Sequence, residues 1–149
     1  RELIKRNSKV TIVVSPKTKS EHLKRVFGSF LDKITVEKLD LLDFNNFLKA
    51  TKDKDIVLNF AAMDGGAKFK LEHSAEIFRI NTQIVLNLFE SCRINKVDRV
   101  LIVSSIDIYP HNVKSPVKEE YANLNNVEKD INGYTWSKRF SEVSAKLYY

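Results

Sequence analysis

The feature that most constrains this fold is a repeated switch between short β-branched runs and longer segments with helical spacing. Apolar runs typical of strands lie at residues 9–15, 34–39, 55–62 and 100–104. Segments with helical spacing lie between them, at residues 19–30, 43–50 and from residue 73 onward. Strands that alternate with crossover helices form parallel sheets. The sequence therefore predicts a doubly wound, Rossmann-like α/β fold.

Two segments interrupt this alternation. Residues 63–70 contain Gly65 and Gly66 and are predicted to form a loop, because paired glycines permit backbone conformations closed to other residues. Residues 106–133 are rich in proline and polar residues, and a loop of that length in a compact domain is usually functional. A final helix is predicted from Tyr134 onward.

The start of the chain indicates an incomplete fold. Residues 1–6 have the pattern of a helix end, which Asn7 can terminate. In dinucleotide-binding folds, the first strand and a glycine-rich turn come just before such a helix. The four glycines cannot form G-x-G-x-x-G in any register. We expect residues 1–149 to be one partial domain that lacks the first strand and its glycine-rich turn, and the chain alone not to be catalytically competent.

Composition narrows the possible functions. No apolar stretch approaches the roughly 18 residues of a membrane span, and Cys92, the single cysteine, excludes an intrachain disulfide, so a cytoplasmic setting is expected. The net charge of +6 comes largely from scattered lysines, without a compact basic block. We therefore expect no nucleic-acid partner. The lysines are either an ordinary solvated surface or a means of attracting anionic nucleotides.

Tyr134 and Lys138 lie four residues apart on the predicted final helix, so both side chains project from one face. An ammonium near a phenol stabilises the phenolate and lowers the phenol's pKa, which suits proton exchange with a substrate hydroxyl. A solvated surface pair is the alternative. Ser105 follows a predicted strand, where α/β sheets place ligand-binding groups, although a serine there can also bond its own backbone.

Several motifs together resemble one known family. SSIDIYP contains Ser105 four residues before Tyr109, and YTWSK contains Tyr134 and Lys138. Both are similar to the Ser and Tyr/Lys signatures of extended short-chain dehydrogenases/reductases. DLLD, FAAM and FRINTQIV precede them in the family's order. The chain thus resembles the NAD-dependent epimerase/dehydratase family over nearly all of its length.

The resemblance implies a set of cofactor contacts. Asp40 and Leu41 in DLLD would flank the adenine, and Asn81 matches the family's helix asparagine. Tyr134 and Lys138 would contact the cofactor as well as the substrate. The segment that would lie along the cofactor comprises Phe60, Ala61, Ala62 and Met63. No metal ligand is expected, and the family's substrate-binding domain is expected to lie outside residues 1–149.

Within the family, the segments around residues 61–78 and 108–120 look most like GDP-L-fucose synthase and related GDP-sugar epimerase/reductases. Those enzymes use a cysteine where this chain has Asp107, which puts epimerisation in doubt. Asp107 stands in the place of a glutamate of sugar-nucleotide 4,6-dehydratases, but Ile106 replaces their adjacent acid, which disfavours a standard dehydratase. A carboxylate at position 107 could still remove a proton beside a transient keto group.

These features give one main hypothesis. The parent enzyme would transfer a hydride between NAD or NADP and a ring carbon of a nucleotide-linked hexose, most simply a GDP-sugar. Lys17 and Lys19 after the first predicted strand favour NADP, because they could pair with its 2′-phosphate. The resemblance also implies a homodimer through the helices near residues 73–95 and 134–149. The alternative is a non-catalytic truncated reductase fold that senses dinucleotide or mediates oligomerisation.

Overall fold

The computed structural model describes residues 2–110, 115–122 and 132–148. Its strands are β1 (Thr11–Val14), β2 (Thr35–Lys38), β3 (Ile56–Asn59) and β4 (Arg99–Ile102). Its helices are α1 (Glu2–Lys5), α2 (Ser20–Phe27), α3 (Phe44–Thr51), α4 (Ala67–Glu72), α5 (Ser74–Ile94) and α6 (Gly133–Tyr148). Short 3-10 segments cover Gly28–Lys33, Ile106–Ile108 and Glu119–Ala122. The strand–helix alternation predicted from the sequence is confirmed.

The strands pair in parallel, as the crossover helices require. β1 pairs with β2, Val13 lying opposite Glu37, and β3 pairs with β4, Leu58 lying opposite Leu101. Within the described residues the two pairs are not hydrogen-bonded to each other. The architecture is therefore an incomplete doubly wound α/β fold, with two parallel pairs instead of one continuous sheet.

The core lies between β3, β4 and the long helix α5. Ile84, Leu88 and Cys92 recur on one face of α5 and pack with Phe47 of α3. Val57, Val100 and Ile102 pack against this cluster from the strands. The alternate strand residues Ile56, Leu58 and Leu101 are exposed, so β3 and β4 bury one face only.

Local signals set several helix ends. Asp43 caps α3 as predicted, since its carboxylate accepts a hydrogen bond from the Asn45 N–H at 2.9 Å. Asn7 has a φ of 59°, and the Ser8 N–H bonds the Leu3 carbonyl, which closes α1 as expected. The helix predicted to reach residue 30 ends at Phe27, because Gly28 adopts a φ of 54° and the chain continues as a 3-10 segment.

The loop predicted at residues 63–70 is wrong in its second half, where α4 begins at Ala67. The paired glycines also serve a different purpose from the one expected. Gly66 has an ordinary φ of −64° at the helix N-cap. A Cβ on Gly65 would lie 2.5 Å from the Phe69 ring, so Gly65 allows that ring to approach the backbone.

The segment predicted as one long loop contains two 3-10 segments, Ile106–Ile108 and Glu119–Ala122. Residues 111–114 and 123–131 of it lie outside the described residues, as do residues 1 and 149. The final helix α6 packs along α5 in the most extensive helix–helix contact of the described residues. This contact brings Tyr134 and Lys138 close to the ends of β3 and β4.

Candidate active site

The centre of the candidate site is a contact between Ser105 and Tyr134. Ser105 follows β4 and precedes the 3-10 segment, where its hydroxyl also accepts a hydrogen bond from the Asp107 N–H at 3.2 Å. Tyr134 lies in the first turn of α6 and is largely buried. The Ser105 hydroxyl acts to lower the pKa of the Tyr134 phenol, and the phenol acts to lower the pKa of the Asp64 carboxyl, so the three polar groups lie near one another. A strand-end hydroxyl and a helix-borne phenol therefore share one small region.

Lys138 lies one helical turn after Tyr134 and faces the same region. Its Nζ donates a 2.7 Å hydrogen bond to the Val103 carbonyl just beyond β4 and lies 5.6 Å from the Tyr134 ring centroid. Partial burial lowers the pKa of Lys138 below its ordinary value. The lysine is thus anchored to the strand end, beside the phenol but not in contact with its ring.

A second lysine, which sequence reasoning missed, lies much closer to the phenol. Lys70 of α4 places its Nζ 3.7 Å from the Tyr134 ring centroid, 3.0 Å from the Asp107 carboxylate and 3.2 Å from the Asp64 carboxylate. Its side chain is only 16% exposed. The sequence offered one signal, the proximity of Asp64 and Lys70 in MDGGAKFK, but the segment was predicted as a loop without a role.

The charges around Tyr134 determine how readily it loses its proton. Burial raises the pKa of Tyr134, and the Asp64 and Asp107 carboxylates add to that increase. The Ser105 hydroxyl and the Lys70 ammonium act in the opposite direction, but the net direction is upward. Lys70 is the cation nearest the Tyr134 ring, and the lowering of the phenol's pKa by Lys138 stays a prediction.

The contacts between Lys70 and the two carboxylates also determine the pKa values of Lys70 and Asp64. Burial acts to lower the pKa of Lys70, but its hydrogen bonds to Asp107 and Asp64 outweigh burial and raise that pKa. Burial acts to raise the pKa of Asp64, but the Gly65 N–H and the Lys70 ammonium lower it below its ordinary value. At neutral pH, Lys70 is therefore an ammonium and Asp64 a carboxylate.

Asn81 joins the end of β3 to α6. Its side chain is 4% exposed; its Oδ1 accepts from the Met63 N–H at 2.6 Å, and its Nδ2 donates to the Met63 carbonyl and to the Ser137 hydroxyl. Ser137 in turn donates to the Tyr134 carbonyl at 2.7 Å. This side chain of α5 thereby holds the segment after β3 against the helix that carries Tyr134.

The remaining residues of the segment after β3 line a small cavity. Ala61, Ala62 and Asn81 form one wall, and Val103 and Lys138 form another. Phe60 is 72% exposed and points away from the core. Short side chains at Ala61 and Ala62 leave the backbone accessible at the carboxyl ends of β3 and β4, the edge at which α/β sheets bind ligands.

Asp40 and Leu41 lie at the end of β2, apart from the Tyr134 cluster. The Asp40 carboxylate accepts from the Leu42 N–H at 3.0 Å, and the Leu41 carbonyl accepts from Asn87 of α5 at 3.1 Å. Asn81 and Asn87 both belong to α5. This helix therefore supports both strand ends at which cofactor contacts are predicted.

An open cleft of about 990 Å³ lies on the other side of Ser105. The residues that line it include Tyr109, which donates to Glu119 at 3.3 Å, and Ile108 beneath them. Arg139 of α6 is buried and donates a hydrogen bond to the Ile108 carbonyl, which fixes the 3-10 segment with Asp107 against α6. Ser105 also lines this cleft.

Comparison with known proteins decides the family. The sequence model of the NAD dependent epimerase/dehydratase family matches residues 1–148. The chain belongs to this family. The resemblance inferred from the motifs is thereby confirmed.

Relatives with described activities are epimerases and reductases of nucleotide sugars. The chain is 33% identical over 122 residues to a dTDP-4-dehydro-6-deoxy-D-allose reductase from a Streptomyces species, covering 79% of this chain and 37% of the relative. It is 35% identical over 99 residues to GDP-mannose 3,5-epimerase from Arabidopsis thaliana, covering 66% of this chain and 25% of that enzyme. The chain thus spans about a quarter to a third of these relatives.

Solved structures support the fold. UDP-glucose 4-epimerase from Bifidobacterium longum, in complex with NAD+ and UDP, superposes with a TM-score of 0.81 at 21% identity, covering 98% of this chain and 43% of that one. The UDP-Glc/GlcNAc 4-epimerase from Campylobacter jejuni gives a TM-score of 0.80 at 18% identity, with coverage of 99% and 43%. The incomplete Rossmann-like fold predicted from the sequence is confirmed.

The described ranges contain neither a metal-binding cluster nor a membrane-spanning helix. Residues 2–110, 115–122 and 132–148 hold no group of three or more His, Cys, Asp or Glu side chains arranged to bind a metal. None of the helices in these ranges combines the length and the apolar character that crossing a membrane requires.

Proposed function

We propose that this chain forms part of an enzyme that transfers a hydride between a nicotinamide cofactor and a hexose ring carbon of a nucleotide sugar. The observation that carries this proposal is the placement of Ser105 and Tyr134 near each other at the end of β4, with Lys138 bonded to the Val103 carbonyl on the same side. A phenol and a hydroxyl so placed can bind one substrate oxygen together. Family membership and the activities named for the relatives support the same chemistry.

The residues present fit the nicotinamide end of such a cofactor. Ala61 and Ala62 lie beside Lys138 at the carboxyl end of β3, and their short side chains would allow a flat ring to approach the backbone. Lys138 would hold the nicotinamide ribose, and Asp40 and Leu41 at the end of β2 would flank the adenine. The cofactor supplies the redox chemistry. The protein's own contribution is orientation and the movement of one proton.

Each residue has a distinct role in that proton transfer. Ser105 binds the reacting oxygen and orients it. Tyr134 gives its proton to that oxygen when the ring carbon is reduced, and takes it back when the carbon is oxidised. Asp107 lies two residues beyond Ser105 and serves as a second acid/base for a proton on an adjacent carbon. The proposed substrate is a GDP-sugar. The resemblance of the sequence to GDP-sugar epimerase/reductases supports this choice, as does the similarity to GDP-mannose 3,5-epimerase from Arabidopsis thaliana.

Lys17 and Lys19 support NADP as the cofactor. Both follow β1 and are exposed, and the Lys17 N–H bonds the Ser15 hydroxyl at 3.3 Å. Cations at this strand end could pair with a 2′-phosphate. Replacing both with alanine in the full-length protein should weaken NADPH binding at least tenfold and leave NADH binding within about twofold. Equal losses for both cofactors would contradict the assignment.

The proposal also includes a homodimer through α5 and α6. Phe78 and Leu86 lie two turns apart on one face of α5 and are exposed, as is Leu147 near the end of α6. Substituting Leu86 with lysine should convert a dimer to a monomer in light scattering. A protein that is monomeric before the substitution would refute the dimer.

The catalytic assignment is tested by Tyr134→Phe in the full-length protein, assayed with NADPH and NADH against GDP-, UDP- and dTDP-hexoses. Loss of the proton donor should reduce kcat by about 10² to 10⁴, with cofactor binding retained. Tyr148→Phe is the matched control, because Tyr148 is exposed and stacks on Phe89 away from the site. Normal turnover by Tyr134→Phe would overturn the assignment, and cofactor binding without turnover of any sugar would favour a sensing module.

A further inference from the structure

Lys70 is the point at which four elements of the candidate site meet. The lysine comes from α4, Asp64 from the segment after β3, Asp107 from the 3-10 segment after β4 and Tyr134 from α6. The Lys70 Nζ lies within 3.2 Å of both carboxylates and 3.7 Å above the Tyr134 ring. The side chain is mostly buried, so its ammonium is directed inward and not toward solvent.

The position of Lys70 matters because of the charges that surround the phenol. Tyr134 faces the carboxylates of Asp64 and Asp107, the hydroxyl of Ser105 and the ammoniums of Lys70 and Lys138. Two nearby carboxylates oppose a negative charge on the phenol oxygen. Lys70 offsets both, since it contacts each of them and the ring itself. Lys138 is farther from the ring, and its Nζ is bonded to the Val103 carbonyl.

We propose that Lys70 is a positioning residue of this site, which holds the Asp107 carboxylate beside Tyr134 and adds a second cation, besides Lys138, that stabilises the Tyr134 phenolate. The inference rests on the proposed function, in which the Tyr134 O–H bond breaks, its proton passes to the substrate oxygen and the electron pair stays on the phenolate. Lys70 then faces the charge that this step creates.

The direct test is the ionisation of Tyr134, which requires no turnover. ¹³C NMR of Cζ-labelled tyrosine in the full-length protein reports each phenol, and the signal lost in Tyr134→Phe identifies the right one. In Lys70→Met at pH 10, the ratio of phenolate to phenol at Tyr134 should fall about tenfold, because an adjacent cation shifts a pKa by one unit or more. Lys70→Arg should restore most of the ratio.

Lys68→Met is the matched control. Lys68 lies on the same helix, is 87% exposed and pairs only weakly with Glu72 at 3.7 Å. It should leave Tyr134 ionisation unchanged. Lys70→Gln, which keeps a polar end, carries the same expectation as Lys70→Met and replaces it if that variant does not fold. An unchanged ratio in a folded Lys70 variant that lacks the cation overturns the inference.

Kinetics separate this inference from the proposed function. If the wild-type protein turns over a nucleotide sugar, Lys70→Met should move the pH-profile limb of Tyr134 ionisation about one unit higher in the oxidation direction. In that direction kcat at pH 7 should fall about tenfold, with KM within about twofold. An unmoved limb refutes the positioning role. If no sugar is turned over, the proposed function fails, while the ionisation measurement still decides the electrostatic role of Lys70.

Discussion

Replacing Asn81 with alanine should destabilise the fold more than any other single polar truncation at this site. The side chain is almost completely buried and makes three hydrogen bonds, two to the Met63 backbone and one to Ser137. A hydrogen bond contributes about 1 kcal/mol, and a buried group left without a partner costs about 1 to 3 kcal/mol. The expected loss in the free energy of unfolding is therefore about 3 kcal/mol.

The assay is urea unfolding, followed by circular dichroism and by the fluorescence of Trp136, the single tryptophan of the 149 residues, which lies on α6. Asn46→Ala is the control, because Asn46 makes one bond to the Asp40 carbonyl in an exposed region and should lose less than about 1 kcal/mol. A double-mutant cycle with Ser137→Ala should give a coupling of about 1 kcal/mol.

The reasoning would be refuted if Asn81→Ala and Asn46→Ala lost the same free energy. That result would mean that the three bonds of Asn81 are replaced by water at no net cost. If Asn81→Ala kept its stability but altered the ionisation of Tyr134, Asn81 would orient α6 without stabilising the fold. That result would contradict the predicted loss of free energy but not the hydrogen bonds from which it is derived.

Two further predictions concern packing and burial. Gly133→Ala should cost about 3 kcal/mol in thermal or urea unfolding, because its Cβ would overlap the Ser74 carbonyl oxygen. Gly66→Ala, with open space around it, should change stability by less than about 0.5 kcal/mol. Equal effects of the two substitutions would contradict the close contact at Gly133. Burial raises the pKa of the Cys92 thiol from 9.0 to about 11, so iodoacetamide at pH 8 should modify the folded protein about ninetyfold more slowly than the urea-unfolded chain. Comparable rates would show that the thiol is accessible.

Periodicity was sufficient for the elements whose sequence and environment agree. The helical spacing from residue 73 onward gave the position of α5, whose buried face carries Ile77, Ile84, Leu88 and Cys92, and the spacing over residues 43–50 gave α3, which Asp43 caps. The strand runs gave β1 to β4 to within one or two residues at most ends. In each case local propensity and tertiary burial favour the same structure, so the pattern alone predicts the element.

The rest depended on contacts between residues distant in sequence. α4 is only six residues long and lies in a segment with two glycines, so neither its length nor its composition distinguished it from a loop. The role of Lys70 depends on Asp107, 37 residues away, and on Tyr134. The pattern of residues along the chain does not reveal such long-range contacts. Ser105 and the Tyr134/Lys138 pair were expected at a strand end and on one helix face, and the structure places them there, while their catalytic roles stay predictions.

The one-sided burial of β3 and β4 has a practical consequence. Leu58 and Leu101 lie opposite each other on the open face, and they are as apolar as the core residues Val57 and Val100 that alternate with them. Strands apolar on both sides are typical of parallel sheets covered by helices on both sides. A polypeptide of these 149 residues produced by itself would therefore expose an apolar surface to water. Its aggregation should increase with concentration and decrease when either leucine is replaced by threonine.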